Sequence, residues 1–298
     1  MKLLVTGGTG FVGRRFCTLL HARGHEAVVL SRVPSRRPDG LPASARLEAW
    51  DPGALGRLLG GADAVVHLAG EPVAQRWTAA ARERIAASRV GVLDALRAAV
   101  EKGARAPRVL VSASAVGYYG ARGEEELTEE SAPGTGFLAE TCVRWEEAAL
   151  SLGPLGTRVV TARIGVVLGE DGGALSKMLP AFRLGAGGPV GSGEQWMSWI
   201  HRDDLAALLV FALEKDGLSG ALNATSATPA RNRDFARALG RALRRPALLP
   251  VPAFALRAAF GEMASILLEG QKVLPVRTLA SGFDLRYPDL DGALSGSV

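Results

Sequence analysis

Residues 6–13 read Thr-Gly-Gly-Thr-Gly-Phe-Val-Gly and lie between an apolar run and a helical pattern that begins at Phe11. A strand that leads through a glycine-rich turn into a helix is typical of a dinucleotide site. Gly7 permits the tight turn, Gly10 lets the backbone approach a pyrophosphate, and Gly13 allows the helix to pack on the strand. The first helical turn offers free N–H groups and a partial positive charge. The stretch therefore predicts a phosphate-binding turn.

The rest of the first half alternates between strand-like and helix-like segments, a pattern that predicts a parallel sheet with helices on both faces and right-handed crossovers. The nearly continuous apolar strands are those that a sheet buried on both faces requires. The predicted strands are Lys2–Thr6, Glu26–Leu30, Leu47–Trp50, Ala64–His67, Arg108–Ser112 and Arg158–Ile164. The predicted helices are Phe11–Arg23, Thr78–Lys102 and Phe137–Leu150.

The pattern changes after Val167, where a glycine-rich stretch separates short helical segments. We expect a cofactor-binding domain of the Rossmann type, a doubly wound α/β fold, over residues 1–166. A smaller C-terminal lobe on the substrate side should occupy residues 167–298. Within that lobe the sequence predicts strands at Ser198–His201 and Ala221–Ala224 and helices at Asp204–Glu214 and Arg231–Arg241.

Composition excludes several classes of protein. The net charge of +5 comes from arginines scattered along the chain, without a basic tract or zinc spacing, so we expect no nucleic-acid partner. No apolar run is long enough to span a membrane, and glycines interrupt the apolar N-terminus before a secretion signal could form. With only Cys17 and Cys142, no disulfide framework or metal-ligand cluster is expected. These features favour a cytoplasmic protein, either a monomer or a homodimer, with a small-molecule substrate.

The end of the second predicted strand indicates which dinucleotide binds. An acidic residue there would bind the ribose 2′-hydroxyl of NAD and repel a 2′-phosphate. This chain has Ser31 and Arg32, with Arg36 and Arg37 close by in sequence. A guanidinium matches phosphate oxygens geometrically and stays charged. The sequence therefore favours NADP(H) over NAD, although a solvated surface arginine is the alternative for Arg32.

Several later runs extend the pattern of the glycine turn. His67-Leu68-Ala69-Gly70 follows the fourth strand and Ser112-Ala113-Ser114 the fifth, and together with the turn they resemble the extended short-chain dehydrogenase/reductases. Gly117-Tyr118-Tyr119-Gly120, Arg144-Trp145-Glu146 and Gly188-Pro189-x-Gly191-Ser192-Gly193 resemble a narrower, atypical branch. That branch is called the epimerase family proteins, is NAD-dependent epimerase/dehydratase-like, and sometimes carries the label of cell-division inhibitor. The resemblance spans the whole chain, and the branch's short C-terminal domain matches from about Arg245.

The resemblance implies a set of cofactor contacts. It places a pyrophosphate on the turn, a 2′-phosphate on Ser31 and Arg32, and a ribose beside Leu68 and Ala69. Glu71 and Arg76 would add contacts after the fourth strand, with a helix-terminal carboxylate and a surface ion pair as the respective alternatives. The complete expected cofactor set is Thr6, Gly7, Gly10, Phe11, Val12, Gly13, Ser31, Arg32, Leu68, Ala69, Glu71, Arg76 and Arg163.

The family's catalytic pair is missing. Short-chain dehydrogenases use a tyrosine as acid or base, with a lysine four residues later that favours the phenolate and holds the ribose. No Tyr-x-x-x-Lys occurs in this chain. If the family's following glutamate is anchored on Glu146, the lysine position falls on Cys142 and the tyrosine position on Leu138. Neither side chain can transfer a proton in that role.

Substitutes must come from elsewhere. Ser114 should sit at the carboxyl end of the fifth strand, where ligands bind in open α/β sheets, and Tyr118 and Tyr119 follow it. A phenol there could protonate a carbonyl oxygen, although a packed loop aromatic is the alternative for each tyrosine. Lys177 reads as a surface lysine and His201 as a structural residue before a helix cap. Cys142 reads as a core residue.

Two hypotheses follow from these observations. The first is an NADP(H)-dependent oxidoreductase or epimerase-like enzyme acting on a small carbonyl, hydroxyl or nucleotide-sugar-type substrate. The second is a sensor or regulatory module that binds NADP(H) without turnover, and it is supported by the absence of the catalytic tyrosine and lysine. The label of division inhibitor rests on a family name alone.

Overall fold

The computed structural model describes residues 1–298, the whole chain. The strands, numbered along the chain, are β1 (Lys2–Thr6), β2 (Glu26–Ser31), β3 (Arg46–Ala49), β4 (Ala64–His67), β5 (Val109–Ala115), β6 (Glu126–Leu127), β7 (Arg158–Ile164), β8 (Val166–Leu168), β9 (Trp196–Met197), β10 (Trp199–His201), β11 (Gly220–Ala224), β12 (Ala230–Arg231) and β13 (Lys272–Val273). Seven of them form one parallel sheet in the order β11-β7-β5-β4-β1-β2-β3. The others form three short pairs, β8 with β10, β9 with β12 and β6 with β13.

Helices connect the strands of the sheet and build the rest of the molecule. They are α1 (Phe11–Ala22), α2 (Leu55–Gly60), α3 (Ala79–Glu101), α4 (Phe137–Leu150), α5 (Leu175–Arg183), α6 (Arg202–Glu214), α7 (Asn232–Leu243), α8 (Ala253–Phe260), α9 (Ser265–Leu268), α10 (Val276–Ala280) and α11 (Leu290–Ser295). Short 3-10 helices lie at Pro52–Ala54, Val116–Tyr119, Gly153–Leu155 and Gly261–Ala264. No helix combines the length and the apolar character that crossing a bilayer requires.

Both faces of the sheet are buried, because successive residues of a strand point to opposite sides. On β1, Leu3 and Val5 pack with α1 and α6, whereas Leu4 packs with α2, α3 and α4. A third apolar cluster joins α5, α7 and α11 around the buried Trp199. The predicted doubly wound α/β fold with a smaller lobe is confirmed.

The predicted elements of the first half are observed, with ends that differ by up to three residues. The helix predicted from Thr78 begins at Ala79, because the Thr78 side chain accepts a hydrogen bond from the Ala81 backbone N–H at 3.2 Å and so caps the helix. The strand predicted to end at Ser112 continues to Ala115, which extends β5 toward the edge where a ligand would bind.

The seven-stranded sheet contains strands from both sides of the expected domain boundary at residue 167. β11 pairs in parallel with β7, and α6 packs against α1 on one face of the sheet. The chain therefore enters the second lobe at β8 and returns to the sheet for α6 and β11. A single cut at residue 167 does not describe this path, because the last strand covers the open edge of β7. The division into two domains stays a prediction.

Candidate functional site

The phosphate turn joins β1 to α1 and has the close packing that its glycines predict. Gly7 has a φ of +73°, and a Cβ there would lie 2.5 Å from the Leu68 carbonyl carbon. A Cβ on Gly13 would lie 2.2 Å from the Gly7 carbonyl oxygen. At Gly10 a Cβ would meet only that same oxygen, at 3.2 Å, so the backbone is otherwise open on that side. Two glycines thus form the turn, and the third leaves its outer surface bare.

The first turn of α1 presents backbone donors with no partner from a capping group. Gly10 is the N-cap, no side chain caps the helix, and no acidic residue lies in its first turn. The first bond that closes the helix runs from the Arg14 N–H to the Gly10 carbonyl at 3.0 Å. The N–H groups of Phe11, Val12 and Gly13 precede it and stay available to an anion. With the bare backbone at Gly10, this cradle fits the diphosphate of a dinucleotide.

The Thr6 side chain is used inside the protein. Its hydroxyl lies 2.7 Å from Nδ1 of the buried His67, whose Nε2 lies 3.0 Å from the Arg89 carbonyl oxygen. Burial lowers the pKa of His67 to about 4, so the imidazole is neutral at physiological pH. Thr6 is among the expected cofactor contacts. Its hydroxyl instead ties the end of β1 to β4 and α3, and only its backbone borders the turn.

The residues after β2 leave two arginines free. Ser31 ends the strand, and its hydroxyl accepts a hydrogen bond from the Val33 N–H at 3.1 Å. Arg32 and Arg36 are both exposed, whereas Arg37 donates to the carbonyls of Pro42 and Ala45 at 2.7 and 2.8 Å. No carboxylate stands directly after the strand, and residues 32–39 carry three arginines against Asp39 alone, so this corner carries a net positive charge beside the turn.

The loop after β4 lies against the turn on its other side. Leu68 and Ala69 are half-buried, and the Leu68 N–H donates to the Thr6 carbonyl at 3.0 Å. Glu71 is half-buried too, and its backbone N–H donates to the Ser88 hydroxyl at 2.8 Å. Arg76 is exposed. The structure therefore brings Leu68 and Ala69 to the phosphate turn and keeps Glu71 beside α3, while the Arg76 side chain faces solvent.

The Phe11 ring connects the turn to the second lobe, a role that the sequence did not predict. A Cβ on Gly169 or Gly172 would lie 2.8 or 2.6 Å from the ring, so the glycine-rich loop after β8 is shaped around it. Asp171 of this loop forms ion pairs with Arg14, at 3.2 Å, and with Arg202. The loop therefore contacts the first turn of α1 directly.

A buried polar network occupies the carboxyl ends of β5, β7 and β11. The Ser114 hydroxyl donates to Glu146 at 2.6 Å, and Arg163 donates twice to the same carboxylate, at 2.9 Å each time. Arg163 also donates to the Tyr119 hydroxyl at 2.9 Å, and that hydroxyl donates to Asn223 at 2.6 Å. Burial opposes the charge on Arg163, but the hydrogen bonds and charge of Glu146 raise its pKa above the usual value.

This network corrects three expectations. Ser114, Tyr119 and Arg163 expose at most 4% of their surface, and each has its polar atoms engaged within the protein. Burial raises the pKa of Tyr119 to about 12, against the opposing effect of Arg163. Tyr119 is thus a poor proton donor with no access to a substrate, and the Ser114 hydroxyl donates its hydrogen bond to Glu146. All three nitrogens of Arg163 donate within the network, so its side chain is held inside the protein.

Tyr118 differs from all three. It is half-buried, its hydroxyl has no hydrogen-bond partner in the chain, and its ring lies under the Arg163 guanidinium, whose Cζ is 3.5 Å from the ring centroid. A Cβ on the preceding Gly117 would lie 3.5 Å from the Leu138 Cβ and 3.9 Å from the Cys142 Sγ. Tyr118 therefore follows directly on the backbone that touches α4 at the two positions where the family's tyrosine and lysine would stand.

The other titratable candidates have structural surroundings. Burial and the charge of Glu146 raise the pKa of the Cys142 thiol to about 11, so Cys142 is a core residue as predicted. His201 accepts a hydrogen bond from the Asp203 N–H at 3.1 Å and caps α6, and its ring lies 3.8 Å from that of Tyr287. Lys177 is exposed. Nowhere do three or more histidine, cysteine or acidic side chains converge as metal ligands would.

With this geometry in view, comparison with known proteins assigns the chain to a family. The NAD dependent epimerase/dehydratase family matches residues 3–224. The chain belongs to that family. Residues 251–296 match a domain of unknown function, DUF1731, close to the point where the sequence placed a separate C-terminal piece. Together with the similar proteins below, these matches confirm the predicted membership of an atypical extended branch and the predicted nicotinamide dinucleotide cofactor.

Similar proteins cover nearly the whole chain. A relative from Arabidopsis thaliana, the chloroplastic homolog of epimerase family protein SDR39U1, is 44% identical over 99% of this chain and 86% of its own. The crystal structure of human SDR39U1 with NADPH superposes with a TM-score of 0.87 at 39% identity, over 99% of this chain and 98% of that one. The UDP-glucose 4-epimerase of Thermus thermophilus, bound to NAD, has a TM-score of 0.79 at 20% identity over 99% and 97% of the chains, a likeness of fold alone.

Proposed function

We propose that this protein is an NADP(H)-dependent oxidoreductase in which Tyr118 exchanges the proton with a small carbonyl or hydroxyl substrate, of nucleotide-sugar type or simpler. The observation that carries the proposal is the free hydroxyl of the half-buried Tyr118, which follows Gly117, the residue whose backbone lies against Leu138 and Cys142. Every other phenol or hydroxyl in that corner has its polar atoms engaged within the protein. Tyr118 is the group that a substrate at the carboxyl edge of β5 could reach.

The choice of NADP(H) is supported by the corner after β2. Arg32 and Arg36 are exposed there, and the position at the end of the strand that would hold an acidic residue in an NAD site is Ser31. The similar human protein was crystallised with NADPH, and its likeness covers the full length of both chains. When bound, the reduced nicotinamide would supply a hydride. The backbone donors of Phe11, Val12 and Gly13 would hold the diphosphate.

Tyr118 would balance that hydride with a proton. In the reducing direction its hydroxyl donates the proton to the carbonyl oxygen as the carbon is reduced, and solvent then restores the phenol. The Arg163 guanidinium against the ring, at 3.5 Å from its centroid, holds the side chain in place. Because Glu146 and Tyr119 anchor Arg163 in turn, the phenol rests on a rigid, buried support.

The test is NADPH oxidation across a panel of small carbonyl compounds and nucleotide sugars, in the parent and in Tyr118→Phe. Loss of a positioned proton donor should lower kcat by about 100- to 10,000-fold. NADPH affinity should stay unchanged. Tyr287→Phe is the matched control, because Tyr287 is a half-buried phenol against His201, away from this corner. Turnover that survives in Tyr118→Phe would refute the assignment of Tyr118.

A parent that leaves every substrate unchanged would favour the second function, a sensor of the NADP(H) state. The contact that supports this alternative is the glycine-rich loop seated on Phe11, with Asp171 paired to Arg14 and Arg202. Through that contact, ligands at the phosphate turn could shift the second lobe. Solution scattering with NADP and with NADPH tests it, and identical profiles would count against a sensor. The cytoplasmic location and the monomeric or homodimeric state stay predictions.

A further inference from the structure

Arg89 on α3 is a charged residue beside the loop after β4, and no role has yet been assigned to it. Its guanidinium packs on the backbone of the loop after β4, where a Cβ on Gly70 would lie 3.1 Å from the Arg89 Cζ and 3.2 Å from its Nη2. Arg89 is half-buried, although no carboxylate forms an ion pair with it. Burial lowers the pKa of Arg89 while the charge of Glu71 acts to raise it, and no carboxylate is bonded to the guanidinium.

The surroundings of Arg89 place it where the family's lysine is missing. The guanidinium lies 5.2 Å from the centroid of the Trp145 ring on α4. It is also close enough to Cys142 for its charge to act against the burial that raises the pKa of that thiol. Cys142 stands at the lysine position when the family pattern is anchored on Glu146. A cation from α3 therefore reaches the region that a cation from α4 would fill.

The hydrogen bonds of Arg89 leave one side of the guanidinium open. Nη1 donates to the Ile85 carbonyl at 2.8 Å and lies 3.4 Å from the Ser88 hydroxyl, both within α3. Nη2 and Nε have no partner in the chain, and neither atom is a buried donor left unsatisfied. The internal bond orients the fork, and the loop at Gly70 limits where it can turn. The free donors therefore have a fixed position and access to a ligand.

We propose that Arg89 binds the ribose hydroxyls on the nicotinamide side of NADP(H), as the replacement for the absent lysine. The proposal rests on the proposed function in one respect, the binding of NADP(H). A vicinal diol presents two acceptors, which suit the two free donors of a guanidinium fork better than a single ammonium. Gly70 takes part by leaving the space that a side chain would close.

The experiment measures dissociation constants by titration calorimetry for two ligands. NADPH carries the nicotinamide ribose, whereas adenosine 2′,5′-bisphosphate carries the 2′-phosphate and lacks that ribose. Arg89→Met should weaken NADPH by about 10- to 100-fold, the range for losing one or two charge-assisted hydrogen bonds. The affinity for the bisphosphate should be unchanged. Arg57→Met is the control, because Arg57 is exposed on α2 and has no ion-pair partner.

A second variant keeps the arginine and moves it. Gly70→Ala inserts a methyl group 3.1 Å from Cζ in a loop that is exposed, so the fold should tolerate it while the guanidinium shifts. It should reproduce the selective loss of NADPH affinity even if Arg89→Met unfolds the protein. Equal losses for both ligands, or none for NADPH, would overturn the role of Arg89. A parent that binds neither ligand would instead overturn the proposed function itself.

Discussion

The buried ion pair between Glu146 and Arg163 predicts that Glu146→Gln destabilises the folded protein by about 3–5 kcal/mol. The two side chains are only 7% and 5% exposed, so water cannot solvate a cation left without its partner. Glutamine keeps one oxygen for Ser114 and for Nε of Arg163, but its amide NH2 would face Nη2, now 2.9 Å from an acceptor. The substitution thus removes one charge-assisted bond and sets two donors against each other.

The measurement is the free energy of unfolding from urea titrations followed by fluorescence and by circular dichroism. The transitions of the two probes must coincide before a single free energy is assigned. Glu101→Gln is the control, because Glu101 pairs with Arg97 at 3.5 Å on the surface of α3, where both side chains are more than 40% exposed. That pair should contribute little. A loss below about 1 kcal/mol in Glu146→Gln would show that the network is hydrated and refute the reasoning.

Three further predictions concern pH and the cofactor turn. Burial lowers the pKa of His67 to about 4 from an unfolded value near 6.5. The neutral imidazole's contribution to the free energy of unfolding is therefore fully present above pH 6.5 and falls by on the order of 3 kcal/mol as the pH drops to 4. If the unfolding free energy of the parent changes no more than that of His67→Gln over this window, the prediction is wrong. Gly13→Ala puts a Cβ 2.2 Å from a backbone oxygen of the turn and should abolish NADPH binding in calorimetry, whereas Gly56→Ala, with nothing within 4 Å, should leave it intact. Arg32→Asp should weaken NADP more than tenfold and spare NAD, as measured by their dissociation constants; equal affinities of the parent for the two would count against a 2′-phosphate site.

The sheet was predictable because its cues are local. Apart from the more polar β3, the strands of the first half are short, mainly apolar runs next to a helix pattern, and the glycine turn sets the first crossover. The return of β11 to the edge of the sheet was not predictable, since its pairing with β7 joins residues such as Leu222 and Ala162 that are far apart in sequence. Nothing in the short segment Ala221–Ala224 indicates which strand it will pair with, so the sequence could not predict the path of the chain after residue 167.

The candidate site likewise has features that the sequence predicts and features that depend on contacts between distant parts of the chain. The roles of Gly7 and Gly13 follow from backbone geometry that a motif encodes, and the structure has both. Tyr119 was indistinguishable in sequence from its neighbour, and what separates them is a bond to Asn223, 104 positions away. A similar distance in sequence, 157 positions, hides the contact of Asp171 with Arg14. The glycines around Phe11 were visible in the sequence as a run, but their shared partner was not.

The different surroundings of Arg163 and Arg89 support separate roles for these two arginines. Arg163 lies with a carboxylate at 2.9 Å, so the pair is close to neutral and its effect on Tyr118 is mechanical support rather than a field that attracts anions. Arg89 forms no such ion pair, although the charge of Glu71 offsets part of the burial that lowers its pKa, and it lies beside the same helix. In the usual family site one lysine both holds the ribose and favours the phenolate. Here the ribose would fall to Arg89 and the support of the phenol to Arg163. Removing Arg89 should therefore act on cofactor affinity, and removing the phenol should act on turnover, so the two effects can be measured separately.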